Sequence, residues 1–369
     1  MVLAVLIMYE RRVLGDASAW APMLEHWPRD ASASTLFWPA EDIAAMAGSA
    51  VHAKTVERAA ALKAVHARLL PLLTEPRPPA AAAPGSEDEL EEPLFPDGFP
   101  FVNFAVAVNQ VFGRAFITGG GGAEQNATAV PIIVPVFEAL ARTASVDATY
   151  EERGSSIVLV AGRAFRSGEE IRIFTGHKSN ANWMVDYGQF VQGNPFTSVP
   201  LGVRIGDDDV IADLKVRALQ RLDHTYGEQF VLSAVENGQP PADLLRTMRI
   251  LFLDLHEFNL ARKVLRSDAP VGLANELMVL RAINQACSSL LGKFDNATLE
   301  YESEIIERMS AESAEGAPMR RELVGAHVRF EEKRILYLHI LWAKAAWEKF
   351  LTLDKAALDE VSELSRRVV

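Results

Sequence analysis

Apolar side chains recur every three or four residues over most of positions 2–71, a period that predicts amphipathic helices. Residues 2–12 are mostly apolar and end in two arginines, which predicts a buried first helix that stops near Gly15. A longer helix is predicted within residues 51–73, where Lys and Arg separate the apolar positions. The N-terminal part of the chain is therefore expected to be helical.

The same period returns in the C-terminal half. Pro270 stands where a helix should begin, and Gly292 stands where it should end. Between them Leu277, Leu280, Ile283 or Asn284, Cys287 and Leu291 recur at spacings of three and four. Another helix is predicted over 320–351, with Trp342 and Trp347 near its end. Because these tryptophans are about 140° apart around a helix, one can face the core while the other contacts a protein partner. The alternative is that both pack within the domain.

Two changes of composition separate these helical regions. Residues 74–98 are rich in proline, alanine and acidic side chains, and a flexible linker is predicted because they have little apolar surface to bury. Residues 155–163 and 169–176 have the pattern of short strands and are separated by a turn-like Arg-Ser-Gly. The middle of the chain is therefore expected to be a compact α+β unit.

Composition narrows the possible functions. The 369 residues carry a net charge of −12 and one cysteine, Cys287. A single cysteine excludes a disulfide framework, a cysteine-based structural zinc site and an iron–sulfur cluster within one chain. The acidic balance argues against a broad nucleic-acid-binding face. No apolar run reaches the roughly 18 residues that a membrane-spanning helix needs.

Two stretches resemble common functional motifs but lack a required residue. The glycine-rich segment 118–127 has neither the Lys-Ser/Thr pair of a P-loop nor the last glycine of a dinucleotide fingerprint, so a hairpin loop is predicted. The segment LHEFN begins like a zinc-protease helix, but Leu260 occupies the position of the second histidine. No Gly-x-Ser-x-Gly sequence occurs, which excludes a nucleophile elbow. No metal site is predicted.

The segment from Gly168 to Pro195, GEEIRIFTGHKSNANWMVDYGQFVQGNP, carries the most specific signal in the chain. It resembles the SET-domain methyltransferases of the Rubisco large-subunit methyltransferase type, which also include the actin-histidine methyltransferase. In that family a Gly-Glu-hydrophobic strand leads to a Tyr-Gly step, then Lys/Arg-Ser-Asn, a helix and Asp-Tyr-Gly-Phe. The matching residues are Gly168, Glu169, Ile171, Ile173, Gly176, Lys178, Ser179, Asn180, Asp186, Tyr187, Gly188, Phe190, Asn194 and Pro195.

Other stretches are similar to the same family in the same order. Residues 111–119 and 131–143 resemble the segments that precede this one, and the C-terminal half resembles the family's helical substrate-binding domain. The resemblance implies an α+β fold, with a SET-like β core that carries a helical insertion and is followed by an all-α C-terminal domain. The implied domains are 1–98 for the insertion with its linker 74–98, 99–199 for the C-terminal part of the core, and 200–369 for the substrate-binding-type domain.

By this resemblance the chain begins within the helical insertion. The family's N-terminal SET strands, with their Gly-x-Gly cofactor segment, have no counterpart in the aligned residues. The core is then expected to expose a sheet edge, which proteins usually cover. We therefore expect the chain to be stable mainly with a partner, or with strands supplied from elsewhere.

The family transfers a methyl group from S-adenosylmethionine to a protein side chain, mainly by positioning the two reactants and excluding water. Tyr187 matches the family's tyrosine near the lysine channel and is a candidate catalytic residue, with a structural role as the alternative. The catalytic tyrosine of the Tyr-Gly step falls at Thr175. A threonine hydroxyl is shorter and not phenolic, so Thr175 is expected to be inactive.

The candidate cofactor positions also depart from the family. Its Asn-His pair falls at Ala141 and Arg142, and the acidic residue before the pair falls at Glu138. Alanine offers no side-chain hydrogen bond, and arginine adds a positive charge beside a positively charged cofactor. Arg114 matches the family arginine and can contact a ligand carboxylate or form an ion pair with Glu138. Asn180 lies at a family cofactor position, with helix capping as its alternative role.

Because these positions depart together, the sequence favours a catalytically degenerate SET-family protein that acts as a protein-binding or scaffold subunit of a larger assembly. No cofactor is then expected. The alternative is an active S-adenosylmethionine-dependent protein-lysine (or histidine) N-methyltransferase. A protein partner or substrate is expected on the helical C-terminal domain, with no nucleic-acid or membrane partner. The resemblance implies a plastid, where Rubisco methyltransferase relatives work, or else the cytoplasm or nucleus.

Overall fold

The chain divides into two compact units. The N-terminal unit comprises residues 1–43 and 53–191, and the C-terminal unit comprises residues 44–52 and 192–369. The computed structural model describes residues 1–28, 32–76, 91–118, 130–154, 156–221, 229–234, 238–260, 264, 270–312 and 319–351. None of the helices in these ranges combines the length and the apolar character needed to cross a membrane.

The apolar faces of three helices form the core of the N-terminal unit. The helices that lie wholly or partly in this unit are α1 (Val2–Tyr9), α2 (Ala21–Glu25), α3 (Ala40–Ala44), α4 (Ala50–Thr74), α5 (Phe101–Arg114) and α6 (Asn180–Asn182). The buried residues of this core include Ala4 of α1, Leu62 of α4 and Phe104 of α5. The first helix continues as a π-helical turn, Glu10–Leu14, and stops at Gly15, so the predicted helix and its end are confirmed.

The described strands of this unit form a two-stranded and a four-stranded sheet. They are β1 (Phe116–Thr118), β2 (Val130–Ile132), β3 (Arg142–Thr143), β4 (Ala148–Arg153), β5 (Ser156–Ala161) and β6 (Ile173–Phe174). Strands β1 and β2 pair antiparallel, and the others have the order β3-β6-β4-β5. The buried Ile173 pairs with Arg142 on one side and with Ala148 on the other, both in parallel register. The two strands predicted from the alternating pattern are confirmed as β5 and β6.

The C-terminal unit is helical, as predicted. Its helices are α7 (Ala212–Gln220), α8 (Ala242–Leu251), α9 (Leu273–Leu291), α10 (Leu299–Ala311) and α11 (Arg321–Leu351). The stripe predicted for α9 is buried from Leu277 to Leu291, and its third position is Ile283 rather than Asn284, which is half-buried. One antiparallel pair, β7 (Ser198–Gly202) with β8 (Gln229–Ser233), was not predicted from the sequence. Its buried side chains, such as Leu232, join the same core as α9 and α11.

The predicted linker at 74–98 packs at its C-terminal end. Phe95 is buried, and its N–H donates to the carbonyl of Leu73 at 2.9 Å. The linker therefore ends before Phe95 rather than at residue 98. Residues 77–90, and the predicted hairpin loop at 118–127 after its first residue, lie outside the described ranges.

Candidate functional site

A cavity of about 710 Å³ lies in the N-terminal unit, where the start of α1, the end of α5 and the strands β1, β4 and β6 meet. Three of the predicted site residues line it, namely Arg142, Thr175 and Tyr187. Its aromatic lining residues are Phe112, Phe116, Tyr150, Phe174 and Tyr187. This size and this lining are typical of a small-molecule site. Within the described residues, no group of three or more His, Cys, Asp or Glu side chains is placed to hold a metal ion.

Tyr187 reaches the cavity from the end of a short helical segment. In this segment α6 passes into a π-helical turn, Trp183–Tyr187. The segment stops there because Gly188 adopts a left-handed conformation with a φ of 67°. The carbonyl of Val185 accepts a hydrogen bond from Asn109 Nδ2 at 2.9 Å, which ties the segment to α5. The position of the tyrosine is thus set by this hydrogen bond before it and by the left-handed turn at Gly188 after it.

The phenol of Tyr187 is half-buried among an aromatic ring and two cations. Its ring centroid lies 4.8 Å from that of Trp183, and Lys178 Nζ lies 5.7 Å from the tyrosine ring. Burial raises the pKa of Tyr187, and the positive charge of Arg142 acts in the opposite direction. The hydroxyl is therefore protonated near neutral pH and is able to donate a hydrogen bond to a ligand.

Arg142 places a permanent positive charge in the cavity wall. Its Nε donates to the carbonyl of Gly113 at 3.2 Å, and its Nη2 donates to the carbonyl of Arg114 at 2.9 Å. The guanidinium lies 4.6 Å from the ring centroid of Phe116, a cation–π distance. Burial lowers the pKa of Arg142, but the guanidinium stays charged because its ordinary pKa is far above neutrality.

Thr175 lines the cavity, whereas Ala141 does not. Thr175 directly follows β6, and the chain turns after it because Gly176 has a φ of 87°. Its side chain lines the cavity, whereas Ala141 is exposed and is not among the lining residues. The carbonyl of Ala141 accepts the N–H of Ile173 at 2.8 Å, which is a sheet contact. Of the predicted pair at Ala141 and Arg142, the arginine alone reaches the cavity.

Arg114 and Glu138 interact with each other outside the cavity lining. The guanidinium of Arg114 lies 5.0 Å from the ring centroid of Trp27. Burial raises the pKa of Glu138, and the charge of Arg114 lowers it again. Burial likewise lowers the pKa of Arg114, and Glu138 raises it. Arg114 therefore does not line this cavity, and its ion pair with Glu138 stays a prediction.

Asn180 uses its side chain to fix the chain that follows Tyr187. Its Nδ2 donates to the carbonyl of Val191 at 3.0 Å, and its Oδ1 accepts the N–H of Val191 at 3.1 Å. The N-cap of α6 is Ser179, so the predicted capping role of Asn180 is wrong. Asn180 is buried and does not line the cavity, and this bridging contact explains its burial.

Cationic side chains on α4 surround one acidic lining residue of the cavity, and the sequence did not predict them. Arg58 Nη2 lies 3.3 Å from Asp186 Oδ1, and Lys54 donates to Asn182 Oδ1. Burial lowers the pKa of Lys54, Asp186 raises it, and the charges of Arg58 and Lys178 lower it further. Lys54 and Arg58 are four positions apart and so share one helix face. That spacing predicts a shared helix face, but it does not indicate which residues the two side chains contact.

Comparisons with known proteins agree with this architecture. The family described as Rubisco LSMT substrate-binding matches residues 206–336. The chain is 24% identical over 339 residues to the chloroplastic fructose-bisphosphate aldolase-lysine N-methyltransferase of Arabidopsis thaliana, which covers 87% of this chain and 64% of that protein. It is 26% identical over 240 residues to the actin-histidine N-methyltransferase of Xenopus tropicalis, which covers 61% and 40%. The chain thus spans between 40% and 64% of the length of these relatives.

Solved structures share the fold. The crystal structure of the SET domain of LSMT bound to lysine and AdoHcy matches with a TM-score of 0.72 and 20% identity, covering 94% of this chain and 75% of that one. Rubisco LSMT bound to sinefungin and monomethyllysine matches with a TM-score of 0.71 and 20% identity, covering 95% and 76%. The predicted SET-like α+β core with a helical C-terminal domain is thereby confirmed.

Proposed function

Because the chain belongs to the SET-domain proteins of the Rubisco large-subunit methyltransferase type, we propose that it is a catalytically degenerate member that works as a protein-binding or scaffold subunit of a larger assembly. The observation that carries this proposal is the positive charge of Arg142 in the cavity wall. The family's methyl donor, S-adenosylmethionine, has a positively charged sulfonium.

The charges in the cavity do not fit a cationic cofactor. Arg142 and Lys178 both line the cavity, and both are cations near neutral pH. Among the lining residues that the structure describes, Asp186 is the one carboxylate, and Arg58 forms an ion pair with it. Like charges repel more strongly in a partly buried site than in water, because the effective dielectric constant is lower. We therefore derive no reaction step through S-adenosylmethionine in this chain.

Thr175 supports the same proposal. Methyl transfer to an amine depends on groups that orient the amine and the methyl donor in line. By resemblance, a tyrosine performs this orientation at the position of Thr175, whose shorter side chain lines the cavity. The loss of one well-placed catalytic donor typically costs about 2.7–4 kcal/mol in transition-state stabilisation. A threonine at this position therefore favours loss of activity.

We propose a protein as the partner, bound through the C-terminal unit. The matched family is described as substrate-binding, and the named relatives modify proteins, namely aldolase and actin. We propose no nucleic-acid or membrane partner. A plastid location is favoured by the chloroplastic relative, and the actin-modifying relatives favour the cytoplasm or nucleus as the alternative.

A second candidate function is S-adenosylmethionine-dependent methylation of a protein lysine or histidine. The relatives carry this activity in their names, and Tyr187 lines the cavity with a protonated hydroxyl. Under this alternative the cofactor is S-adenosylmethionine, and Tyr187 orients the amine. The charge of Arg142 is the observation against it.

Isothermal titration calorimetry of the full chain with S-adenosylmethionine tests the proposal. We expect no binding tighter than millimolar, because the cavity is cationic. The double substitution Ala141→Asn with Arg142→His restores the family's pair, and we expect it to tighten binding. Micromolar affinity of the unchanged chain, or transfer of a labelled methyl group to a protein in a plastid or cytosolic extract, would instead support the methyltransferase.

A further inference from the structure

We infer that the cavity beside Tyr187 is a binding site for a small organic anion that carries a flat aromatic ring. This inference goes beyond the proposed scaffold function, because it concerns a small ligand on the N-terminal unit and not a protein on the C-terminal unit. It rests on three observations: the excess of cations around the cavity, its aromatic walls and its size.

The first observation is the excess of cations. Arg142 and Lys178 line the cavity, and Lys54 and Arg58 stand next to its one carboxylate, Asp186. The two hydrogen bonds of Arg142 to backbone carbonyls hold its side chain in place. They leave further N–H donors of the guanidinium fork for a ligand. A carboxylate or phosphate is the group that such a fork binds with two parallel hydrogen bonds.

Mutual repulsion among these cations favours an anion in the same place. Burial lowers the pKa of Lys54, Asp186 raises it, and the charges of Arg58 and Lys178 lower it again. A bound anion would offset this repulsion, since an opposite charge within a few ångströms stabilises the charged form of each lysine. A cationic ligand would increase the repulsion.

The second observation is the aromatic lining. The rings of Phe116 and Tyr150 meet edge to face with centroids 4.8 Å apart, and the hydroxyl of Tyr150 donates to the carbonyl of Ile117 at 3.2 Å, which fixes this wall. Phe174 and Tyr187 contribute further ring surface. Aromatic side chains bind a planar ring by stacking or edge contacts. The apolar surface therefore suits a ring, and the cations suit an acidic group attached to it.

The third observation is size. The cavity of about 710 Å³ lies within the usual range of about 300–1,000 Å³ for small-molecule sites. A fused two-ring carboxylate is well within this volume. Such a ligand would bury its ring against the half-buried rings of Tyr150 and Phe174, with its carboxylate directed to Arg142 and Lys178.

Three probes that share one naphthyl ring and carry a negative, a neutral or a positive substituent test the inference. Isothermal titration calorimetry of the full chain with 2-naphthoate, the neutral 2-naphthamide and the cationic 2-naphthylmethylammonium isolates the contribution of charge. We expect naphthoate to bind at least about tenfold more tightly than the amide, because charged hydrogen bonds are worth more than neutral ones. The ammonium probe should bind most weakly. Equal binding of the three probes, or tighter binding of the ammonium, would overturn the inference, as would the absence of naphthoate binding below about 1 mM.

Variants of the chain locate the site. Arg142→Gln and Lys178→Gln should each weaken naphthoate binding about tenfold or more and leave naphthamide binding nearly unchanged. Arg172→Gln is the matched control, because Arg172 is exposed, pairs with Glu170 and does not line the cavity. A thermal melt of each variant identifies loss of folding, and Lys178→Gln keeps the test decisive if Arg142→Gln does not fold. Unchanged naphthoate affinity in a folded variant of either residue would contradict the inference.

The outcome of the naphthyl-probe titrations does not depend on the outcome of the S-adenosylmethionine titration that tests the scaffold proposal. Micromolar binding of S-adenosylmethionine would contradict the scaffold proposal. The comparison of the three naphthyl probes would still decide whether the cavity prefers an anion. Failure of naphthoate to bind would remove the anion site and leave the scaffold proposal standing.

Discussion

Gly188 follows Tyr187 with a φ of 67°, and a Cβ at this position would lie 2.5 Å from the carbonyl carbon of Ala33. Two separate physical requirements therefore demand glycine here. The left-handed conformation disfavours an L side chain, and the neighbouring backbone leaves no room for one. The direction of the Tyr187 side chain depends on this position.

We predict that Gly188→Ala lowers the free energy of unfolding by about 3 kcal/mol. About 1 kcal/mol comes from the left-handed conformation, and about 2 kcal/mol comes from forcing a methyl group against the Ala33 backbone. Urea unfolding followed by circular dichroism measures the loss. Gly168→Ala is the control, because Gly168 has a φ of 83° and nothing within 4 Å of the added Cβ. Equal losses in the two variants would show that the close contact with Ala33 costs nothing.

The two tryptophans of helix α11 do not have the arrangement that the interface hypothesis requires, with one buried and the other exposed. Both Trp342 and Trp347 are half-buried and pack against the core of the C-terminal unit. This supports the alternative in which both pack within the domain. The large apolar residue that α11 exposes beside them is Leu341, with 60% of its surface accessible. Leu341 is therefore the better candidate for a contact with a protein partner.

We predict that Trp342→Ala and Trp347→Ala each lower the melting temperature by about 5 °C. The loss of a half-buried indole costs about 2 kcal/mol, less than the 3–5 kcal/mol typical of a fully buried aromatic residue. Leu341→Ala should change the melting temperature by less than about 1 °C, since exposed positions contribute little to stability. Pull-down from a cell extract should lose a partner with Leu341→Ala. An unchanged partner set with this variant would argue against a contact on this face.

The buried Glu332 should make the free energy of unfolding depend on pH. Glu332 of α11 is buried, and its Oε2 accepts the N–H of Ala50 at 2.8 Å within the C-terminal unit. Burial raises the pKa of Glu332 to about 8, and the charge of Glu331 acts in the same direction. In the unfolded chain the pKa returns to its ordinary value near 4.5. Between these two values the unfolded chain releases a proton that the folded chain keeps, so the free energy of unfolding falls as pH rises.

We predict that Glu332→Gln removes the contribution of Glu332 to the pH dependence of stability. The difference in unfolding free energy between wild type and variant should shift by at most roughly 1.4 kcal/mol per pH unit between about pH 5 and pH 8, in favour of the variant at high pH. The glutamine carbonyl still accepts the N–H of Ala50, so the hydrogen bond is retained. Urea denaturation at several pH values measures the difference. Glu348→Gln, an exposed position on the same helix, is the control and should track the wild type. A pH-independent difference for Glu332→Gln would contradict the assignment.

The sequence predicted only part of the candidate site. The family resemblance predicted Arg142, Thr175 and Tyr187, and the three line one cavity. The sequence did not show that Arg142 lines the cavity while Ala141 does not, because which residues line a cavity depends on how distant segments pack together. It also could not place Arg58 beside Asp186, since their contact joins positions more than a hundred residues apart.

The local pattern of apolar residues, prolines and glycines predicts much of the fold. Helices α1, α9 and α11 and strands β5 and β6 follow from apolar spacing and from Pro and Gly at their ends, because helix and strand periods act over a few residues. The pairing of β7 with β8, the burial of Phe95 and the gathering of cations around the cavity required the folded chain. Those features arise from contacts between distant segments, and such contacts depend on which surfaces meet in space and leave no period in the sequence.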